Sequence, residues 1–170
     1  MTSSPENQGS GGITVPNPRH LVSKEYIEPF YLGFSCYDEN AKIVGAGPVK
    51  FNEKKKKWVR YFPNRLKGEG VEYSNEENLE LDRAIHFFEL AAVNAQGYAY
   101  TEDDIIGEES GRLRKLHYCL IHPPKAVCGD GDMGYLVDGP KGDLTRYALK
   151  ILSGIEFLNE AAPTVSNPSP

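Results

Sequence analysis

The stretch RLRKLHYCLIHPPKAVCGDGDMGYLVDG, residues 112–139, is where the fold is decided. Its first ten residues alternate and carry Leu, Tyr and Ile, which reads as a β-strand. The His-Pro-Pro that follows must end that strand, because proline cannot donate to a ladder. Beyond it, KAVC and GYLVDG read as two short strands around a GDGDMG turn. Strands that follow one another through short turns favour an antiparallel sheet.

Working outward, EPFYLGFSCY (residues 28–37) is aromatic-rich and reads as another strand, with DEN at 38–40 as a turn. AKIV is expected to return as a strand, broken by GAGP. VKF and WVRYF flank NEKKKK as a hairpin with a lysine-rich tip, ended by Pro63 and Asn64. The strongest helix signal is at 74–97. Ser74 and Glu77 match a capping box. Behind them Leu81, Ala84, Ile85, Phe88, Ala91, Ala92 and Ala95 recur at helical spacing, and Gly97 stands where a C-cap is expected. Phe87, Leu90 and Val93 widen the apolar arc, so this helix should be buried on more than one side. A second helix is expected after Asp143 as N-cap, with Leu144, Tyr147, Ala148, Ile151, Leu152, Ile155 and Leu158 as its stripe. The fold class is therefore α+β: a single domain with a mainly antiparallel sheet of about five or six strands and two helices packed on one face. Phe88 and Ile155 should be buried, one on each helix.

The 170 residues suit one domain. Residues 1–24 and 162–170 are rich in Ser, Gly, Pro and Asn and lack apolar periodicity, so they read as disordered tails around a domain at 25–161. No basic segment leads an apolar run at the start, so no secretory signal is read. No apolar run is long enough for a transmembrane helix. The three cysteines, Cys36, Cys119 and Cys128, are an odd number, and the default is a cytoplasmic protein with reduced thiols.

The 117–128 stretch also holds the candidate chemistry. His117, Cys119, His122 and Cys128 are zinc-type ligands, but the spacing has neither C-x-x-C nor H-x₃₋₅-H. Cys119 reads as readily as a small buried hydrophobe. Cys36 could serve as a nucleophile if His86, His117 or His122 lay beside it, yet no local signature supports this. The run from Asp130 lacks the calcium-loop ligands at its fifth, sixth and twelfth positions. Gly45-Ala46-Gly47 is followed by Pro48, so it is no dinucleotide fingerprint. No cofactor is expected.

Charge is the better clue. Residues 42–67 carry nine basic and one acidic side chain, 9 − 1 = +8. Residues 69–109 carry one basic and twelve acidic, 1 − 12 = −11, in a chain whose net charge is −5. Helix capping explains some of these acids, Glu76 and Glu77 among them. It does not cover the five in TEDDIIGEES: Glu102, Asp103, Asp104, Glu108 and Glu109. A solvated acidic face, or a lysine hairpin folded against it, are the plain readings. The functional reading is an electrostatic docking surface of Glu76, Glu77, Glu80, Glu102, Asp103, Asp104, Glu108 and Glu109. Its partner would be a basic protein such as a toxin or nuclease. Direct nucleic-acid binding is not expected of an acidic chain, although the lysine hairpin could contact phosphates. In general profile the chain is similar to bacterial immunity and inhibitor proteins, being short, acidic and α+β without a catalytic constellation; the likeness covers no motif. That profile implies a non-catalytic cytoplasmic inhibitor. The alternative is a small Cys/His enzyme or zinc protein built on the 117–128 stretch.

Overall fold

The computed structural model describes residues 9–16, 30–61 and 74–158. Its centre is a six-stranded, wholly antiparallel sheet in the order β1-β2-β8-β7-β6-β5. The strands are β1 (Ser10–Val15), β2 (Phe30–Asp38), β5 (Ile85–Ala91), β6 (Gln96–Asp103), β7 (Leu113–His122) and β8 (Lys125–Tyr135). A separate hairpin joins β3 (Val49–Asn52) to β4 (Lys57–Arg60). The helices are α1 (Asn75–Arg83), the single turn α2 (Gly139–Gly142) and α3 (Thr145–Ser153). The expected α+β class with an antiparallel sheet of six strands is what the chain adopts.

Each face of the sheet has its own core, because side chains alternate along every strand. On one face Leu32, Leu116, Leu120, Ala99 and Met133 pack against Leu144, Ala148 and Leu152, at and along α3. On the other, Tyr98, Tyr100, Cys119, Ala126 and Cys128 meet Val49 and Trp58 of the β3–β4 hairpin. Trp58 is the anchor, with ring centroids 4.7 Å from Tyr98 and 5.5 Å from Phe51.

Several sequence expectations are corrected. The first is the helix at 74–97. Its capping box is present, with Ser74 and Glu77 exchanging hydrogen bonds, but the helix ends at Arg83. The next residues are strand β5. Here Ile85 belongs to the core on the hairpin side and Phe87 packs against it, while Phe88 and Leu90 lie on the α3 side. A strand covered on both faces is apolar at nearly every position, which imitates the wide arc of a buried helix. Phe88 and Ile155 are half-buried against the α3-side core, Phe88 from a strand.

The second is the GDGDMG turn. Residues 125–135 form one continuous strand, paired to β2 on one side and to β7 on the other. Glycine is here a packing requirement. A Cβ on Gly129 would stand 1.9 Å from the Gly33 carbonyl oxygen and 2.8 Å from the Tyr118 hydroxyl. Tyr118 crosses over this gap to donate to the Gly33 carbonyl at 3.0 Å, tying β7 to β2 across β8.

The third is the N-terminal tail. Residues 10–15, inside the stretch read as disordered, pair with β2 as the edge strand. Residues 1–8, 17–24 and 162–170 of the expected tails, and the Pro63–Asn64 stop, lie outside the described residues. AKIV forms turns rather than a strand. The N-cap of the last helix is Leu144 and not Asp143, which precedes it; the Asp143 Oδ1 accepts from the Thr145 backbone at 2.8 Å and from the Thr145 hydroxyl.

Candidate functional site

The β7–β8 hairpin turns on a cis Pro123–Pro124 bond and sets Cys119 directly opposite Cys128. Their Cα atoms are 4.0 Å apart and the two sulfurs are joined in a disulfide. The expectation of reduced thiols is corrected for this pair; Cys36 is a free cysteine. His117 is two residues before Cys119 and so shares its face, stacked on Tyr100 at 5.0 Å between centroids. His122 is three residues beyond Cys119 and faces the other way. Its Nδ1 is 2.6 Å from the Asn94 carbonyl oxygen, and its ring stacks on Phe157. The structure therefore does not assemble the four zinc-type residues. Both thiols are used up in the disulfide, and one histidine lies across the sheet. Among the described residues no group of three or more His, Cys, Asp or Glu is placed to hold a metal ion.

Cys36 gains no histidine base among the described residues either. It lies on the same face as its strand neighbour Phe34, the α3 face, opposite to His117. His86 is on β5, four strand spacings from β2, which is about 19 Å. His122 is two strands away and engaged with Asn94.

The acidic residues divide by environment. Glu76, Glu77 and Glu80 are exposed on α1, and Glu108 and Glu109 are exposed in the β6–β7 connection. Hydrogen bonds from Ser74 hold the Glu77 carboxyl below its usual range. Glu102 and Asp103 are strand residues, not loop residues. Asp103 takes a bidentate pair from Arg114, Nε to Oδ1 at 2.6 Å and Nη2 to Oδ2 at 2.7 Å, with His86 at 3.5 Å. Arg114 also reaches Asp143 at 2.7 Å. Its guanidinium is driven further toward the charged form, chiefly by the Asp103 hydrogen bonds. Burial pushes the Asp143 carboxyl up, but Thr145 and Arg114 together bring it below its ordinary value. Asp104 accepts from the Leu113 backbone at 3.1 Å. Asp103 and Asp104 are thus structural. Self-neutralisation is also present: Lys57 pairs with Glu89 at 2.8 Å and Arg60 with Asp82 at 2.6 Å, linking the hairpin to β5 and α1.

A cleft of about 460 Å³ opens on the hairpin face, lined by residues of β1, β2, β6, β7 and β8 and by Ile43 and Ala46. Cys119 and Cys128 line it, with His117 and Asp130 paired across β7 and β8. Tyr31, Tyr37, Tyr98 and Tyr100 supply aromatic walls. The Gly45–Gly47 segment forms a rim: the Gly45 N–H donates to the Tyr98 hydroxyl at 2.9 Å, and a Cβ on Gly47 would lie 2.4 Å from the Tyr100 hydroxyl. Gly47 has φ +92°, so only glycine sits there without strain. Burial pushes the Tyr98 hydroxyl up to about 12. Sequence reasoning missed this cleft. The available signal was tyrosine at period two in both strands, Tyr98 with Tyr100 and Tyr31 with Tyr37 three steps on.

No protein-family profile, curated protein or solved structure matches this chain.

Proposed function

We propose that the protein is a non-catalytic binding protein that docks a basic protein partner, in the manner of an inhibitor of a toxin or nuclease. One observation carries the reading. The C-terminal end of α1 and the start of the β6–β7 connection are joined by the Asp103 N–H donating to the Ala84 carbonyl at 3.0 Å. On α1, before this junction in the chain, lie the exposed acids Glu76, Glu77 and Glu80 with the exposed Leu79; in the β6–β7 connection, after it, lie the exposed Glu108 and Glu109 with Ile106, 81% exposed. Apolar anchors within a charged rim are the anatomy of a protein interface, and rim charge sets encounter rate more than affinity. Glu102, Asp103 and Asp104 belong to the earlier acidic set but serve this surface as scaffold.

No helix of the described residues is long and apolar enough to cross a membrane. A cytoplasmic site of action is part of the inhibitor reading. The Cys119–Cys128 disulfide opposes it, since such bonds are rare in reducing compartments.

The test is affinity capture at low salt with the wild type and with Glu76, Glu77, Glu80, Glu108 and Glu109 all changed to Gln. A basic protein retained by the wild type alone supports the proposal. Its association rate should then fall at least about tenfold in the variant at low salt, and the two rates should converge near 1 M, where the Debye length is about 3 Å. Equal rates at every ionic strength would remove the electrostatic reading.

A further inference from the structure

We infer that the cleft on the hairpin face is a binding site for a small organic cation of the alkylammonium class. It does not use the acidic residues of α1 and the β6–β7 connection, so it stands apart from the docking proposal. Its volume, about 460 Å³, is that of a small-molecule site. Its lining selects the sign of the ligand's charge. Among the described lining residues there is no lysine and no arginine, and the one carboxylate is Asp130, opposite His117. An anion would meet that carboxylate with no lysine or arginine among the described lining residues to balance it. A neutral apolar ligand would leave the Asp130 charge without use. An alkylated ammonium answers both parts of the site. Its charge faces Asp130, and its methyl groups lie against the exposed Tyr31 and the half-buried Tyr37, since the faces of tyrosine rings attract cations.

The fold holds these parts in place. Asp130 stands opposite His117 in β7 and opposite Gly33 in β2, so its position is set by pairing on both sides. The Tyr31 ring lies over Gly12 and Gly33, where a Cβ on Gly12 would fall inside it. Tyr98 and Tyr100 are buried in the core, and the Gly45–Gly47 rim meets both hydroxyls. A rigid aromatic wall costs little ordering on binding.

The experiment is titration of the full chain by calorimetry and by NMR, at fixed ionic strength. The probes are choline, its neutral carbon isostere 3,3-dimethylbutan-1-ol, and a short peptide carrying trimethyllysine. Saturable choline binding is expected, at least about tenfold tighter than the isostere, with shifts confined to residues of the cleft. A peptide at least about tenfold tighter than choline identifies an alkylated lysine as the source of the cation; equal or weaker peptide binding identifies a free small molecule. Asp130→Asn should weaken choline about tenfold and leave the isostere unchanged. Asp130 is exposed, so that variant keeps the fold; Tyr31→Leu, also at an exposed side chain, should weaken choline as well. Absence of saturable binding by choline and peptide alike, equal binding of the isostere, or an Asp130→Asn variant with wild-type affinity would each overturn the assignment.

Discussion

Arg114 is the residue whose role the chain sequence conceals most. It sits in an alternating basic run, RLRK, that reads as a solvated strand face. Instead its guanidinium joins the end of β6, through Asp103, to the entry of α3, through Asp143. All three side chains are mostly buried, so the pairs are screened less than surface ion pairs. Arg114→Met should cost about 2–3 kcal/mol, by stranding two carboxylates. Asp143→Asn keeps acceptors for Thr145 and isolates the charge. Asp143 is held below its ordinary value in the folded chain. Its contribution is therefore complete above the unfolded value of about 3.9 and is lost as pH falls through the lower folded value. Denaturant titrations of wild type and variant should show a stability gap at neutral pH that closes below about pH 4. A gap that widens in acid would refute the assignment.

At the scale of the element, the rim segment between β2 and β3 offers a controlled comparison. Gly47 and Gly107 share nearly the same φ, +92° and +90°, but a Cβ on Gly107 would meet nothing within 4 Å. Gly107→Ala therefore measures backbone strain alone, about 1–2 kcal/mol. Gly47→Ala adds the displacement of Tyr100 and should cost more, about 2–3 kcal/mol. Thermal melts of both variants check this, and equal losses would mean that the rim does not press on Tyr100. The same scale explains the misread helix. Residues 81–95 satisfy a period of 3.6, yet residues 85–91 also satisfy a strand covered on both faces. The aromatic pair Phe87–Phe88 was the local sign of strand. The capping box was decisive only for the first turn, because a cap satisfies orphan amides there and says nothing of where the helix ends.

For the whole molecule, the disulfide gives the sharpest check. Protein isolated without reductant and unfolded in denaturant should titrate one thiol, Cys36. Three thiols would mean that the β7–β8 pair is reduced, and would restore the cytoplasmic inhibitor reading in full. Local chemistry in the chain was enough for the α+β class, the lysine-tipped hairpin, β2, β7 with its Pro-Pro stop, the cap of α1 and, of the expected last-helix stripe, Ala148, Ile151 and Leu152; α3 ends at Ser153, before Ile155 and Leu158, and Tyr147 and Leu158 are exposed. Each follows from contacts within a few residues: alternation, a missing amide proton, a side chain that bonds its neighbour's backbone. Local chemistry also placed His117 and Cys119 on one face of a strand. The rest came from strand order, which no short window contains. β8 is a strand, despite three glycines, because it lies between β2 and β7 and both ladders pair it. Cys128 meets Cys119 and Asp130 meets His117 through the β7–β8 register, and the tyrosines of β2 and β6 face one cleft because β8 and β7 stand between those strands in the sheet. Arg114 and Asp103 are partners for the same reason: pairing register, set by burying both faces of the sheet at once, decides which charges meet and which remain at the surface.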